Sequence, residues 1–563
     1  MFYACKKSKL SFIALSTSTI FFASGAWGSP PNSVALDGHK GHGRGGCTWD
    51  RNAALSYEEQ RLTTALPFTG NNVTTQDETP LAERITKDTG FDTFEPAFAE
   101  HLCGQDNTTT VTSYSAAQTL VTKEGQALWR AAVNRVQGRR PSPSDSVLPN
   151  SDDRMLYWAR TYMTRTLRQW VPSFTLSKTQ ADDLQWRFER ASRGQYDIDL
   201  PRKRTNRGAA YRRMIVSGFD VFSLGQPGTP NTGLRNGNPS GATALEMDGR
   251  EFRLSDGSIL HVEAYLLPVS YDPFNRGMQE DTLGPWFQPG PQRVDASITM
   301  SQGGPNQFWL EAWNGRFHGS YAGNDGIVYC PAAQASPAYV LPLGTVTNPG
   351  TSPISLAGSG CNINTPPRWL GYDGTWEQNQ PPQFSAGSLP VQELLTADTG
   401  RGIKRPTGAS SASADGFDVT WHTNYSYYSD CSKPSTVDVP TNDVVNAIPD
   451  PSLVTAPLVD VCARNGGGGD FLSNESGYRN TVLRDAFGLN IPAGHIHVPI
   501  MNNYFTNTGT GIDNPRNDNA ITDGLYESYR TAIVAQTKAM LVEIGNTLTQ
   551  ETKRGERPEA KPL

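Results

Sequence analysis

The sequence predicts an α/β protein, with a sheet covered by helices on both faces and a mainly helical region ahead of it. Short apolar runs at 214–216, 259–269, 298–300 and 496–500 are bounded by loop-forming residues, as buried strands are. Helical periodicity lies between and after them, in Tyr478, Val482, Leu483 and Phe487 and in Leu525, Tyr529, Ile533, Met540, Leu541 and Ile544. Strands that alternate with helices need helices on both sides of the sheet to bury its two faces.

The helical region precedes these runs. Leu156, Ala159, Tyr162/Met163, Leu167 and Trp170 recur at three- and four-residue spacing and form one face of a helix. Asp182 is placed to open another, running through Leu184, Trp186 and Phe188. In the second half, the run at 214–216 passes into Ser217-Gly218-Phe219-Asp220, a strand ending in a loop, and Phe308-Trp309-Leu310 leads into Glu311. Residues 326–460 are rich in Pro, Gly, Ser, Thr and Asn and read as a loop-rich, disulfide-stapled insertion without a core of its own. Order returns at Phe471. The resulting division is a signal peptide at 1–28, a mainly helical region at 29–208, an α/β domain at 209–548 with its insertion at about 326–460, and a polar, disordered tail at 549–563.

The chain has 563 residues, 18% of them charged, and a net charge of -6, which gives no strong pull toward nucleic acid. Lys6, Lys7 and Lys9 precede an apolar, hydroxyl-rich run and then Ala26-Trp27-Gly28, the layout of a secretory signal peptide cleaved near Gly28. The run is too short to span a bilayer comfortably, since a spanning helix takes ~20 apolar residues. No integral membrane segment is expected after cleavage, and the protein is expected to be exported, periplasmic or extracellular. Cleavage removes Cys5 and leaves Cys47, Cys103, Cys330, Cys361, Cys431 and Cys462, an even number that fits disulfides in an oxidising compartment. Proximity favours Cys47–Cys103, Cys330–Cys361 and Cys431–Cys462. No CxxC spacing occurs, and His39 and His42 alone make a weak copper or nickel site, so no metal and no cofactor is expected.

Three segments carry chemistry. In Gly469-Asp470-Phe471-Leu472-Ser473-Asn474, Ser473 stands where a glycine-rich loop enters a helix. Unpaired N–H groups and the helix dipole there favour developing negative charge. In Ala493-Gly494-His495-Ile496-His497-Val498-Pro499, strand alternation puts His495 and His497 on one face, and either is a candidate general base. Glu311, flanked by bulky apolar residues, is expensive to bury unless paired, and a histidine would both pair it and be oriented by it. Gly466 to Gly469 lacks the Lys-Ser/Thr of a phosphate loop, and Asn324-Asp325-Gly326 lacks the spaced acids of an EF-hand.

Taken together these segments resemble the pyroglutamyl peptidase I (pyrrolidone-carboxylate peptidase) family. Residues 212–223 with Asn238-Pro239-Ser240 look like its opening Gly-Phe-Asp/Glu-Pro-Phe…Asn-Pro-Ser. Gln302-Gly303-Gly304 with Glu311 resembles the segment that ends on its catalytic glutamate. Gly469 to Asn474 resembles Gly-Thr-Phe-Val-Cys-Asn, and Gly494 to Pro499 resembles Gly-Phe-Ile-His-Val-Pro. The resemblance covers about 211–325 and 465–548. It implies a three-layer α/β/α sandwich and a triad of Glu311, Ser473 and His497. It also implies a pocket for a pyrrolidone ring lined or shaped by Phe219, Phe222, Asn238, Gln302 and Phe471. The implied activity is removal of N-terminal pyroglutamate, or a related acyl group, from a peptide with a blocked N-terminus.

The sequence departs from that pattern at the nucleophile, where serine replaces cysteine, so the proton must pass to a histidine during attack. Val221 stands in place of a proline, Pro305-Asn306 and Ala312 in place of arginines, and Ser320-Tyr321 where a later arginine falls. A reactive cysteine in an oxidising compartment risks mispairing and oxidation, which gives export a reason to favour serine. The alternatives are an inactive exported binding protein that keeps the peptidase fold, or an extracellular interaction module working through its helical region and insertion.

Overall fold

The computed structural model describes residues 47–66, 77–104, 111–203, 205–206, 208–222, 234–317, 323–325, 381–406, 414–428, 445–446, 455–458, 461–469, 471–501 and 520–551. The signal segment, the His39/His42 linker, Cys330, Cys361, Cys431, Asp470, Ser320-Tyr321 and residues 552–563 lie outside them.

The helical region contains α1 (Leu81–Thr89), α2 (Phe94–Cys103), α3 (Tyr114–Val136), α4 (Arg154–Gln169) and α5 (Lys178–Ala191). Helix α4 follows the periodicity read from the sequence and stops at Trp170, which turns extended. Helix α5 starts earlier than Asp182, because Ser177 caps it: its hydroxyl accepts from Gln180 N–H while Gln180 reaches back to Ser177 N–H. The disulfide Cys47–Cys103 ties the first described residue to the end of α2.

A mixed sheet organises the rest. Its strands in chain order are β1 (Ala209–Phe219), β2 (Arg250–Arg253), β3 (Ile259–Leu267), β4 (Ala296–Gln302), β5 (Gln307–Glu311), β6 (Asp418–His422), β7 (Val445–Asn446) and β8 (Ala493–Val498). Across the sheet they run β7-β6-β5-β8-β4-β1-β3-β2, with Thr205–Asn206 also paired to β1. The block β8-β4-β1-β3 is parallel throughout; β5 joins β8 antiparallel, and β6 then runs parallel to β5.

Strands β6 and β7 come from the loop-rich insertion at 326–460, which adds two short strands to the central sheet. Their signal is hidden by composition: β6 is the short run Asp-Val-Thr-Trp-His within Gly- and Ser-rich chain, and pairing with β5 supplies what local propensity does not.

Alternation along the strands divides two cores. Met214, Val216, Val262, Ala264, Ile298, Met300, Phe308, Leu310, Ile496 and Val498 join one cluster with α9 (Gly524–Glu551), represented there by Tyr529, Ile533, Met540 and Leu541. Helix α6 (Pro239–Met247) joins it through Ala244, Leu245 and Met247, and the helical region through Trp129 and Trp158. Ile215, Phe219, Tyr265 and Leu267 point to the other face, under α7 (Met278–Phe287) and α8 (Leu472–Ala486). The chain thus has helices on both faces of the sheet, as expected. Helix α9 runs through Glu551, past the boundary at 548 set from the sequence. Among the described residues, no helix is long and apolar enough to cross a membrane.

Candidate active site

The site forms where register and alternation bring polar residues to the α8 face of four neighbouring strands. In β5, Leu310 goes to the opposite core, so Trp309 and Glu311 face α8. In β8, Ile496 and Val498 do the same and leave His495 and His497 facing α8. Parallel pairing of β8 with β4 sets His495 beside Thr299 and His497 beside Ser301. On the other side, β5 pairs with β6 so that Glu311 lies next to His422.

Glu311 is fully buried and both its carboxylate oxygens are occupied. His497 Nδ1 lies 2.5 Å from Oε1, and His422 Nδ1 lies 2.6 Å from Oε2. Burial by itself would raise the carboxyl's pKa; the two imidazoles, His422 foremost, reverse that and hold it at about 2. The Trp309 indole stacks on His422 with ring centroids 4.8 Å apart and meets His497 edge-on at 5.8 Å. The glycine loop closes over this pair. A Cβ on Gly467 would stand 1.9 Å from Glu311 Oε2, and one on Gly303 would stand 2.6 Å from His497 Cβ. The contact at Gly467 gives a reason for a glycine run that matches no phosphate loop.

Ser473 sits in the first turn of α8, two residues after Phe471 at the N-cap. Asn474 anchors that turn: Gly315 N–H donates to its Oδ1, and its Nδ2 donates to the carbonyls of Gly315 and Phe317. Ser301 Oγ donates to Ser473 Oγ at 2.8 Å, and Ser301 Oγ is also 2.8 Å from His495 Nε2. His495 Nδ1 in turn is 2.8 Å from Thr299 Oγ1. Burial, then the neighbouring His497, hold the His495 pKa well below the usual histidine value. Among the described residues, no hydrogen bond joins Ser473 to His497. The structure therefore brings Glu311 and His497 together directly and links Ser473 to the histidine strand through Ser301.

The residues expected around a ring pocket fall into four settings. Phe471, next to the Ser473 turn, contacts Phe222 and the edge of Tyr271, each at 5.8 Å between centroids. Phe219 stacks on Phe274. Asn238 caps α6: its Oδ1 accepts from Ser240, and its Nδ2 donates to the Asp220 carbonyl, so it shapes the strand end and has little left for a ligand. Gln302 ends β4 beside Val498. A cavity of about 150 Å³ lies between the helical region and the sheet, lined in part by Tyr157, Arg160, Arg193, Ser270 and Asp272. Among its lining charges, Arg168 pairs with Glu59, Arg193 with Glu189 and Arg276 with Asp272.

The sequence reading missed His422, Ser301 and Tyr271. Ser301 lies one residue before Gln302-Gly303-Gly304 and two after Thr299, the alternation that would have marked it. For His422 no local signal exists. Of the expected disulfides, Cys47–Cys103 is present; the other two involve Cys330, Cys361 and Cys431, outside the described residues, while Cys462 is buried. Among the described residues, no group of three or more His, Cys, Asp or Glu side chains is arranged to hold a metal ion.

Residues 213–502, which include Glu311, His422, Ser473 and His497, match the family model described as PA0049, C-terminal domain, and residues 39–189 match PA0049 N-terminal domain. The chain belongs to this family. A relative from Pseudomonas aeruginosa, carrying the name Uncharacterized protein PA0049, is 68% identical over 552 residues, spanning 98% of this chain and 99% of the relative. Among solved structures, pyrrolidone carboxyl peptidase from the hyperthermophile Pyrococcus furiosus is similar at a TM-score of 0.28 and 13% identity, over 59% of this chain and 99% of that one. Pyroglutamyl peptidase I from Bacillus amyloliquefaciens is similar at a TM-score of 0.26 and 13% identity, over 58% and 94%.

Proposed function

We propose that the protein is a serine-type amidohydrolase that removes an N-terminal pyroglutamyl or related acyl group from peptides. The observation that carries this reading is the buried Glu311–His497 pair opposite a serine in the first turn of α8. Ser473 Oγ attacks the acyl carbon and gives its proton to His497 Nε2, while Glu311 stabilises the imidazolium through Nδ1–H. First-turn N–H groups of α8 receive the oxyanion. His497 then protonates the departing amine, and water releases the acyl group by the same route. The phenyl rings of Phe222 and Phe471 and the phenol ring of Tyr271 suit a small neutral ring.

His497 is preferred to His495 as the base on energetic grounds. A proton taken by His497 sits beside a carboxylate; one taken by His495 makes a buried cation with only hydroxyls as partners. To hand over its proton, Ser473 leaves Ser301 when substrate binds. The proposed setting is outside the cytoplasm, in keeping with the Cys47–Cys103 disulfide.

The direct test is hydrolysis of a pyroglutamyl fluorogenic amide by the purified protein at pH 6–9, with Ser473→Ala as control. Turnover that vanishes in the variant supports the reading, and a silent wild type counts against it. The hydrogen bond from Ser301 to Ser473, in place of one to His497, favours a second reading: a binding protein that retains the pocket without turnover. Labelling of wild type but not Ser473→Ala by an active-site serine reagent excludes that alternative.

A further inference from the structure

The carboxylate of Glu311 has two imidazole partners, and the triad uses one. The second, His422, comes from β6, within the segment whose composition reads as loop. Parallel register sets it directly beside Glu311, its Nδ1 2.6 Å from Oε2. Gly467 closes the same oxygen from another side, leaving no space there for a side-chain atom. Trp309 stacks flat on His422 and meets His497 with its edge, so one indole braces both rings.

We propose that His422 is a positioning residue of the catalytic site, holding Glu311 so that Oε1 alone is presented to His497. This rests on the hydrolase reading above. A carboxylate with one donor can turn about its terminal bond and exchange oxygens; a donor on each oxygen removes that freedom. His497 is then kept with its proton on Nδ1 and its lone pair on Nε2, the form needed to accept from Ser473. As the imidazolium forms, the His422 N–H also keeps Glu311 ionised, so the proton stays on His497 until the leaving amine takes it. The insertion is on this account a part of the active site.

Two variants separate positioning from packing. His422→Phe keeps a ring against Trp309 and removes the donor; His422→Asn puts an amide N–H near the place of Nδ1. The first readout is the downfield proton resonance of the His497 Nδ1–H in the resting protein, which needs no turnover. The second is the rate of Ser473 labelling by a serine reagent. His422→Phe is expected to shift or broaden the resonance and to slow labelling by about ten- to a hundredfold, the range for losing a group that orients a catalytic ligand. His422→Asn is expected to restore both to within a few-fold. A His422→Phe protein with the wild-type resonance and rate overturns the proposal, as does a His422→Asn protein no better than His422→Phe. Should wild type neither label nor cleave, the hydrolase reading fails, and the resonance still decides whether His422 orients the pair.

Discussion

His497 Nδ1 lies 2.5 Å from Glu311 Oε1, although strand register sets Trp309, and not Glu311, opposite His497. The contact is diagonal, within the reach of long side chains on adjacent strands. A pairing made this way depends on both rotamers being fixed, which the indole, the glycine loop and the second imidazole accomplish. Glu311→Gln keeps the shape and loses the charge. It should lower the rate of Ser473 labelling by roughly 10³- to 10⁴-fold, the scale seen when the acid of such a triad is removed.

The two histidines of β8 should respond unequally. His497→Gln is expected to reduce labelling of Ser473 by roughly 10²- to 10⁴-fold, as loss of a general base does. Ser301→Ala and His495→Gln remove only the hydroxyl-linked chain and should change it by less than about tenfold, a smaller effect than loss of the base. Equal losses at His495 and His497 would sink the assignment of His497 as base.

Glu311 also sets a pH dependence of stability. Its carboxyl is held at about 2, below the ordinary 4.5, so the folded state binds its proton less readily than the unfolded state. The stabilisation is fully present above about 4.5 and is lost as pH falls toward about 2. Glu280 has the opposite sign: burial raises it to about 7, outweighing the Arg479 guanidinium, whose Nη1 lies 2.7 Å away. Its contribution declines as pH rises from about 4.5 to about 7. Urea midpoints across pH 2–8 should flatten on the acid limb in Glu311→Gln and between pH 4.5 and 7 in Glu280→Gln.

The glycine loop can be tested at one atom. Gly467→Ala puts a methyl where Glu311 Oε2 stands and must displace the carboxylate or the loop. Displacement of about 1 Å at a catalytic group costs about a hundredfold in rate. Labelling of Ser473 should fall by that order, with the His497 downfield resonance shifted; an unchanged rate would show that the carboxylate position does not matter.

The disulfide Cys47–Cys103 closes a loop across a sequence separation of 56. Replacing both cysteines with serine should cost about 2–4 kcal/mol, read as a lower urea midpoint under oxidising conditions and no further loss on adding reductant.

The architecture was legible wherever local pattern and tertiary environment agree. The apolar runs of β1, β3, β4 and β8 are buried on both faces and so stand out in the chain. Helix α9 shows its apolar stripe because its other side meets water. The start of α5 differs from the periodic pattern because a capping box at Ser177, and not periodicity, sets it. At the site, the helix entry at Ser473 and the shared face of His495 and His497 follow from spacing alone. Asn238 caps α6 through its Oδ1 and holds the end of β1 through its Nδ2, a role that its place before Pro239-Ser240 makes legible only in part.

The sequence by itself determined the periodicities, and with them the helical region, the covered sheet and the positions of Glu311, Ser473 and His497 at the ends of elements. Tertiary structure alone decided which atoms meet. Register between strands far apart in the chain set His422 against Glu311, and Ser301 between Ser473 and His495. Periodicity fixes the face a side chain takes, because it is a property of one strand. Contact depends on which strands are neighbours and in what register, and that is settled only when the whole sheet assembles and its faces are buried.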